Sequence, residues 1–283
     1  MKKSLSLILP AFLTLFSITV FPLTFSIFTS FHRLDLKTVE GFRFVGLYNY
    51  LYGIKDPTFQ KSMLVTLEYM SGTVAVELIL GLLLALILNL DLRIVKVLRG
   101  ITIIPLAISP MGVALIFKLE TQQEIGIIAY ILKEFFHVMF QPLINTYQAL
   151  GMLILVDAWQ WTPFVALVLL AGLRSIPVQV MEAAKMDCKS SLQMLRNIVL
   201  PLLKYPLIVV ALIRIMDAFS VFEYVYMLTG GAPGDSTLVV TFWIYKVGMR
   251  YLELGKACAL SYIVFGVVLI IIILYIKYAL KER

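Results

Sequence analysis

Four residues in the stretch Asp157-Ala158-Trp159-Gln160-Trp161-Thr162-Pro163-Phe164 have the types and spacing for recognition chemistry. Asp157, Gln160, Trp161 and Phe164 fall at i, i+3, i+4 and i+7, so a helix places them on one face. A carboxylate, an amide and two aromatic rings on one face can hydrogen-bond hydroxyl groups and stack on the apolar side of a pyranose ring. The same spacing also suits a packing face in which Asp157 bonds a neighbouring helix. Further along, Arg214 and Asp217 stand three apart and can pair. They read either as an ion pair that fixes helix packing or as a polar cavity wall continuing through Ala218 and Val221. Glu223 lies on a different face. Glu77, the lone interior charge of its apolar run, reads as a helix–helix contact rather than a ligand.

Other chemistries find no residues to carry them. Cys188 and Cys258 are far apart, without a CxxC or zinc spacing, and read as ordinary thiols. His32 and His137 are too isolated for a metal site. No G-x-x-x-x-G-K-[ST] loop occurs, so the chain has no usual means of binding ATP. No nucleophile–base–acid set stands out, and the reading is of a non-enzyme without a cofactor of its own.

The elements that must position these residues follow from composition. The chain has 283 residues, 61% hydrophobic and 14% charged, with a mean hydropathy of +0.95. Soluble domains average roughly 45–50% apolar and about 25% charged. Lipid must therefore supply part of the solvent, and the fold class is an all-α integral membrane protein. The net charge of +7 reflects Lys and Arg clustered at the ends of apolar runs, which points to membrane topology and not to nucleic acid.

Six runs qualify as spans: Ser4–Phe31, Met63–Leu90, Ile101–Phe117, Ala149–Leu173, Leu207–Leu228 and Cys258–Ile276. The first is too long for a secretory signal and lacks a small-residue cleavage site; Pro10 and Pro22 can kink it. The third contains Pro105 and Pro110 around Ile108-Ser109, and a broken span often borders a substrate path. Basic residues decide orientation. Lys2 and Lys3, the hinge Asp91–Arg99 with Arg93, Lys96 and Arg99, the loop with Arg174, Lys185, Lys189, Arg196 and Lys204, and the tail with Lys277, Lys281 and Arg283 share one side. The opposite loops are poorer in basic residues, with Asp35, Glu40, Asp56, Glu120, Glu124 and Glu134 interspersed. Both termini are thus expected in the cytoplasm. No internal repeat or low-complexity tract is evident.

Between the fourth and fifth runs lies Glu182-Ala-Ala-Lys-Met-Asp-Cys-Lys-Ser-Ser, a basic and Ala-rich segment. Pro177 suits the first turn of a helix over Val178–Asp187. Ala183 and Ala184 give it a low-relief surface on which another protein can pack closely. Glu182 and Lys185 lie on neighbouring faces. Ser190 and Ser191 can cap a second helix, Leu192–Val199, and Pro201 breaks the chain before the fifth run. By itself the segment is equally an amphipathic linker.

The pattern Glu182-Ala183-Ala184, three residues, Cys188, nine residues, Ile198-Val199-Leu200-Pro201 resembles the EAA-xxx-G-(nine)-I-x-L-P signature of permease subunits of binding-protein-dependent ABC importers. Asp187 precedes the position where that family usually carries Gly. Cys188 there means either an ordinary φ at the turn or tolerated strain. Trp159-Gln160-Trp161-Thr162-Pro163-Phe164 with Ala171-Gly172-Leu173 and Ile176-Pro177 is similar to the carbohydrate importers. So is Leu228-Thr229-Gly230-Gly231-Ala232-Pro233-Gly234, where Ala232 stands in for a glycine. Tyr245 and Leu254–Ser261 complete the likeness to the maltose-type "first" permease.

The resemblance implies a coupling segment, over about 178–201, seated in a separate ATP-hydrolysing subunit through Glu182, Ala183, Ala184, Asp187, Cys188, Ile198, Leu200 and Pro201. It implies a substrate path along Asp157, Gln160, Trp161, Phe164, Asp217, Ala218 and Val221. The implied partners are a second homologous permease, two ATP-binding subunits that hold ATP and Mg, an extracytoplasmic solute-binding protein and membrane lipid. The setting is a bacterial or archaeal cell membrane, crossed several times. Residues 1–62 are expected to form the first helix and an extracytoplasmic loop, and residues 63–283 the five-helix importer core. The cargo implied is a sugar or oligosaccharide. Glycerol phosphate or another polyol in the same machine is an alternative, though a phosphate needs basic groups and only Arg214 is placed for it. An ion-coupled secondary transporter would use Asp157, Arg214 and Asp217 but leaves the EAA-like segment unexplained.

Overall fold

The computed structural model describes residues 2–37 and 41–280, without the side chains of residues 2–8, 11, 279 and 280. Glu40, Lys281 and Arg283, and the side chains of Lys2 and Lys3, lie outside the described residues.

A chain inside a bilayer has no water to satisfy its N–H and C=O groups, so its apolar runs fold as helices. Helix α1 (Lys2–Ser30) is unbroken through Pro10 and Pro22. A short antiparallel pair, β1 (His32–Arg33) and β2 (Arg43–Phe44), precedes α2 (Tyr48–Ile54) and the long α3 (Pro57–Leu88). Next come α4 (Arg93–Thr102), a 3-10 turn (Ile104–Ala107), α5 (Pro110–Glu120) and α6 (Ile127–Phe136). Helix α7 (Thr146–Ser175) leads to α8 (Val178–Asp187) and α9 (Ser191–Met194). A π turn (Leu195–Val199), α10 (Leu200–Leu202) and α11 (Lys204–Phe219) follow. A π turn (Val225–Thr229), α12 (Val240–Tyr245), a third π turn (Lys246–Arg250) and α13 (Leu254–Leu280) complete the chain.

Among the described residues, four helices are long and apolar enough to cross a membrane, and two bent pairs raise this to six if each pair is one span. The first bent pair joins Arg93–Ala107 to Pro110–Glu120 at 94°. Pro105 and Pro110 cannot donate to a helix ladder. Ile108 and Ser109 are extended, and Ser109 caps α5 by accepting from the Gly112 N–H at 3.2 Å. The basic stretch read as a hinge, Asp91–Arg99, is mostly the amphipathic helix α4. Its Arg99 guanidinium donates to the Leu88 carbonyl at 3.0 and 2.7 Å, closing the end of α3.

The second bent pair, Ser191–Leu202 and Lys204–Phe219, turns by 70°. Pro201 is not the break point. It sits in the first turn of α10, where its missing N–H is harmless, and the chain bends two residues later at Leu203. The fifth run is also not one helix. It stops at Ser220, whose N–H turns back to Met216 and Asp217, and resumes toward the π turn Val225–Thr229. In the loop that follows, Gly230, Gly231 and Gly234 have φ of 60°, 91° and 54°, which only glycine adopts cheaply. Ala232 is not in that region, so alanine fits there without strain.

The chain forms two compact units, Met1–Ser62 with Val240–Ile270 and Met63–Val239 with Ile271–Arg283. In the first, Lys256 Nζ bonds Asp56 at 2.8 Å. Burial alone would push the Asp56 carboxyl up, but the hydrogen bond and charge of Lys256, with the Thr58 and Phe59 N–H groups, hold it below the usual carboxylate range. In the second, α3 and α7 pack closely because Gly72 and Gly81 carry no side chain. A Cβ on Gly72 would lie 2.7 Å from Ile154, and one on Gly81 2.5 Å from Val165. Next to this contact Ala85, Leu88, Val165, Leu169, Val199 and Leu203 form a buried hydrophobic core.

Candidate functional site

Three helices of the second unit converge on one guanidinium. Arg214 of α11 is 1% exposed and takes Glu77 of α3 in a two-pronged pair, Nε to Oε2 at 2.7 Å and NH2 to Oε1 at 2.8 Å. The same NH2 donates to Asp157 Oδ1 of α7 at 3.1 Å. Tyr69, about two turns from Glu77 on α3 and fully buried, donates its hydroxyl to the other Asp157 oxygen. Arg214 NH1 reaches Asp217 Oδ2 at 3.3 Å, and that side chain is 51% exposed. Charges cost several kcal/mol to bury unless paired. Here each buried charge has a partner of opposite sign, which ties α3, α7 and α11 into one unit.

A second chain of bonds runs beside the first. The Trp161 ring lies under the guanidinium, 4.8 Å from Arg214 Cζ. Trp161 Nε1 donates to Tyr224 Oη at 3.2 Å. The Tyr224 hydroxyl donates to Gln160 Oε1, and Gln160 Nε2 donates to the Ile108 carbonyl at 2.7 Å. That carbonyl belongs to the extended pair between the 3-10 turn and α5, so Gln160 satisfies an acceptor that the Pro105–Pro110 break sets free.

The residues expected along a substrate path are thus placed as follows. Asp157 and Gln160 are buried and spend their polar atoms on Arg214, Tyr69, Tyr224 and Ile108. Trp161 and Phe164 are half-buried, their rings edge-on at 6.2 Å. Ala218 and Val221 are buried, and Asp217 is exposed beside Arg214. Glu77 contacts α11 and Glu223 is half-buried. The structure adds Tyr69 and Tyr224 to these residues. A signal for Tyr69 exists: Ser62, Thr66, Tyr69, Thr73 and Glu77 recur every three or four residues along α3, and all are buried.

The coupling-like segment is organised from its own sequence. Helix α8 covers Val178–Asp187, with Pro177 at its N-cap. Cys188 ends it at φ −95° and ψ 130°, an ordinary extended conformation, so the missing glycine costs no strain. Ser190 Oγ accepts from the Gln193 N–H at 3.2 Å while Gln193 Oε1 accepts from the Lys189 N–H at 2.9 Å, a reciprocal cap that starts α9. Glu182, Ala183, Asp187 and Pro201 are exposed; Cys188, Ile198 and Leu200 are half-buried; Ala184 is buried. Met186 is 88% and Leu192 73% exposed.

Residues 77–283 match the family described as binding-protein-dependent transport system inner membrane component. The trehalose/maltose transport system permease protein MalF of Thermococcus litoralis is 35% identical over 279 residues, 98% of this chain and 93% of the relative. The trehalose transport system permease protein SugA of Mycobacterium tuberculosis is 30% identical over 276 residues, 98% of this chain and 88% of the relative. The fold is that of a crystal structure of a bacterial alginate ABC transporter in complex with alginate pentasaccharide-bound periplasmic protein, at a TM-score of 0.80 and 21% identity, covering 98% of this chain and 94% of that one. The chain is an inner-membrane, multi-pass permease and not an enzyme: it belongs to the binding-protein-dependent transport system inner membrane component family.

Proposed function

We propose that this chain forms half of the translocation path of an ATP-driven importer for a sugar or oligosaccharide. A second homologous permease supplies the other half. Two ATP-binding subunits, which hold ATP and Mg, dock on the segment 178–201, and an extracytoplasmic protein delivers the solute. Each bent pair counts as one span, which gives six, with both termini and the coupling segment in the cytoplasm. Residues 63–283 make up the importer core, preceded by the first helix and an external loop in 1–62.

The observation that carries this reading is the exposed α8–α9 pair with its EAA-like pattern, in a chain whose relatives carry sugar-transport names across nearly their full length. The rings of Trp161 and Phe164 with the Asp217 carboxylate suit a hydroxylated, ring-shaped cargo. Arg214 is already engaged by Glu77 and Asp157, which favours a neutral sugar over glycerol phosphate. Asp157, Gln160, Ala218 and Val221 then form the wall behind these groups.

The test is uptake by proteoliposomes holding the complete transporter and its binding protein, against a panel of mono- and oligosaccharides. ATP-dependent accumulation of a sugar, and none with an ion gradient alone, supports the reading. Accumulation driven by an ion gradient without ATP overturns it.

A further inference from the structure

Helix α6 is pinned at one end of two membrane-crossing elements. Its first N–H, on Ile127, donates to Glu120 Oε2 at the last residue of α5 (3.2 Å), and the Gly126 N–H donates to the Gln122 carbonyl at 2.8 Å. After α6 the chain turns at His137 (φ 54°) and folds onto the start of α7. There the Gln141 N–H donates to Gln148 Oε1 at 2.6 Å, and Gln148 Nε2 donates to the Met139 carbonyl at 3.2 Å. Helix α7 has 30 residues, or about 45 Å, against about 30 Å of hydrocarbon. Its other end leads into the coupling-like segment. Helix α6 is therefore held at the level of the span ends, on the side away from α8.

Its surface divides into three flanks at about 100° per residue. Ala129 is buried and Ile128 and Leu132 half-buried, so one flank faces protein over most of its length, with Phe136 at its end 66% exposed. Ile127, Ile131 and Phe135, at i, i+4 and i+8, form a second flank, exposed by 63%, 42% and 74%. Tyr130, Lys133 and Glu134 form the third and are also exposed. A helix whose three sides suit protein, hydrocarbon and water, fixed at the depth where those media meet, fits the membrane interface. The exposed Leu143, Ile144 and Tyr147 continue the apolar surface toward α7, with Tyr147 at the level where tyrosine is enriched in membrane proteins.

We propose that α6 is an interfacial helix that seats Ile127, Ile131 and Phe135 in the upper acyl chains of the leaflet opposite the coupling segment. This requires only that the chain spans a membrane; it does not depend on the cargo or on the ATP-binding partners. Nitroxide labels at Ile131→Cys, Phe135→Cys and Lys133→Cys, each in a Cys188→Ser, Cys258→Ser chain, report it in the complete transporter in phospholipid vesicles. Oxygen collisions exceed those of a water-soluble nickel chelate at positions 131 and 135, by less than at Ile79→Cys within α3, while nickel dominates at position 133. Nickel-dominated collisions at 131 and 135 would place that flank in water and overturn the proposal. Shielding from both agents would place it against a protein partner and overturn it equally. Phe135→Trp, which keeps an aromatic ring, gives an independent reading. Lipids brominated near the acyl carbonyl quench its added emission, and absence of quenching contradicts the proposal.

Discussion

Arg214 and Glu77, 137 positions apart in sequence, meet through two parallel hydrogen bonds of 2.7 and 2.8 Å, with both side chains buried. The pair joins α11 to α3 at the level where α7 contributes Asp157. Removing Arg214 leaves Glu77 and Asp157 as uncompensated buried charges, which costs about 3–5 kcal/mol; removing Glu77 costs less, because Arg214 keeps Asp157 and Asp217. Arg214→Gln and Glu77→Gln should each lower the thermal midpoint of the purified transporter. The double variant should lose less than the sum of the two, because Glu77 is then no longer a stranded charge, while Asp157 loses its cation in the double variant just as it does in Arg214→Gln. Additive losses would mean that the two side chains do not interact.

Gln160 bridges two elements, accepting from Tyr224 and donating to the Ile108 carbonyl. Gln160→Leu leaves that carbonyl without its donor at the break between the 3-10 turn and α5. The expected loss is about 1–3 kcal/mol, read as a lower thermal midpoint. Faster amide exchange confined to residues around 104–112 would accompany it. An unchanged exchange pattern there would remove the bridging role.

Asp56, just outside the span that starts at Pro57, pairs with Lys256 in the first turn of α13 and gives a pH dependence of known sign. Because the folded-state carboxyl lies below its unfolded value of about 3.9, its contribution is fully present above that value. It is lost as pH falls through the lower folded-state value. The thermal midpoint of the wild type should therefore exceed that of Asp56→Asn at neutral pH, and the two should converge in strong acid. A gap that widens on acidification would reverse the assignment.

Much of this arrangement is readable from local sequence. Pro177, Ser190 and the EAA-like pattern locate α8 and α9 because caps and helix starts are short-range chemistry. The apolar runs locate the long helices because a bilayer leaves the backbone one solution. Pro105 and Pro110 announce a break, yet its 94° angle depends on what receives the freed carbonyl, and that donor is Gln160, 52 residues away. The interruption after Phe219 has no proline or glycine to mark it. Asp157 and Gln160 read equally as ligands or as packing groups until Arg214, Tyr69 and Tyr224 are brought to them, since residue type alone does not reveal which partners a fold supplies. The polar stripe from Ser62 to Glu77 was a readable sign that α3 turns a polar side inward.

Trp161 lies under Arg214 and bonds Tyr224 while remaining half-buried. Trp161→Ala should impair sugar uptake with the complex still assembled, since it removes the largest ring from the suggested path. Unchanged uptake kinetics would exclude that face of α7 from the path.

On the proposed function, motion enters this chain through α8 from a separate ATP-hydrolysing subunit, and Glu182→Lys probes that transfer. Solute-stimulated ATP hydrolysis and uptake should be measured together in proteoliposomes of the complete transporter. Both should fall sharply while the permease remains inserted and its partners remain bound. Normal stimulation and normal uptake by Glu182→Lys would contradict it.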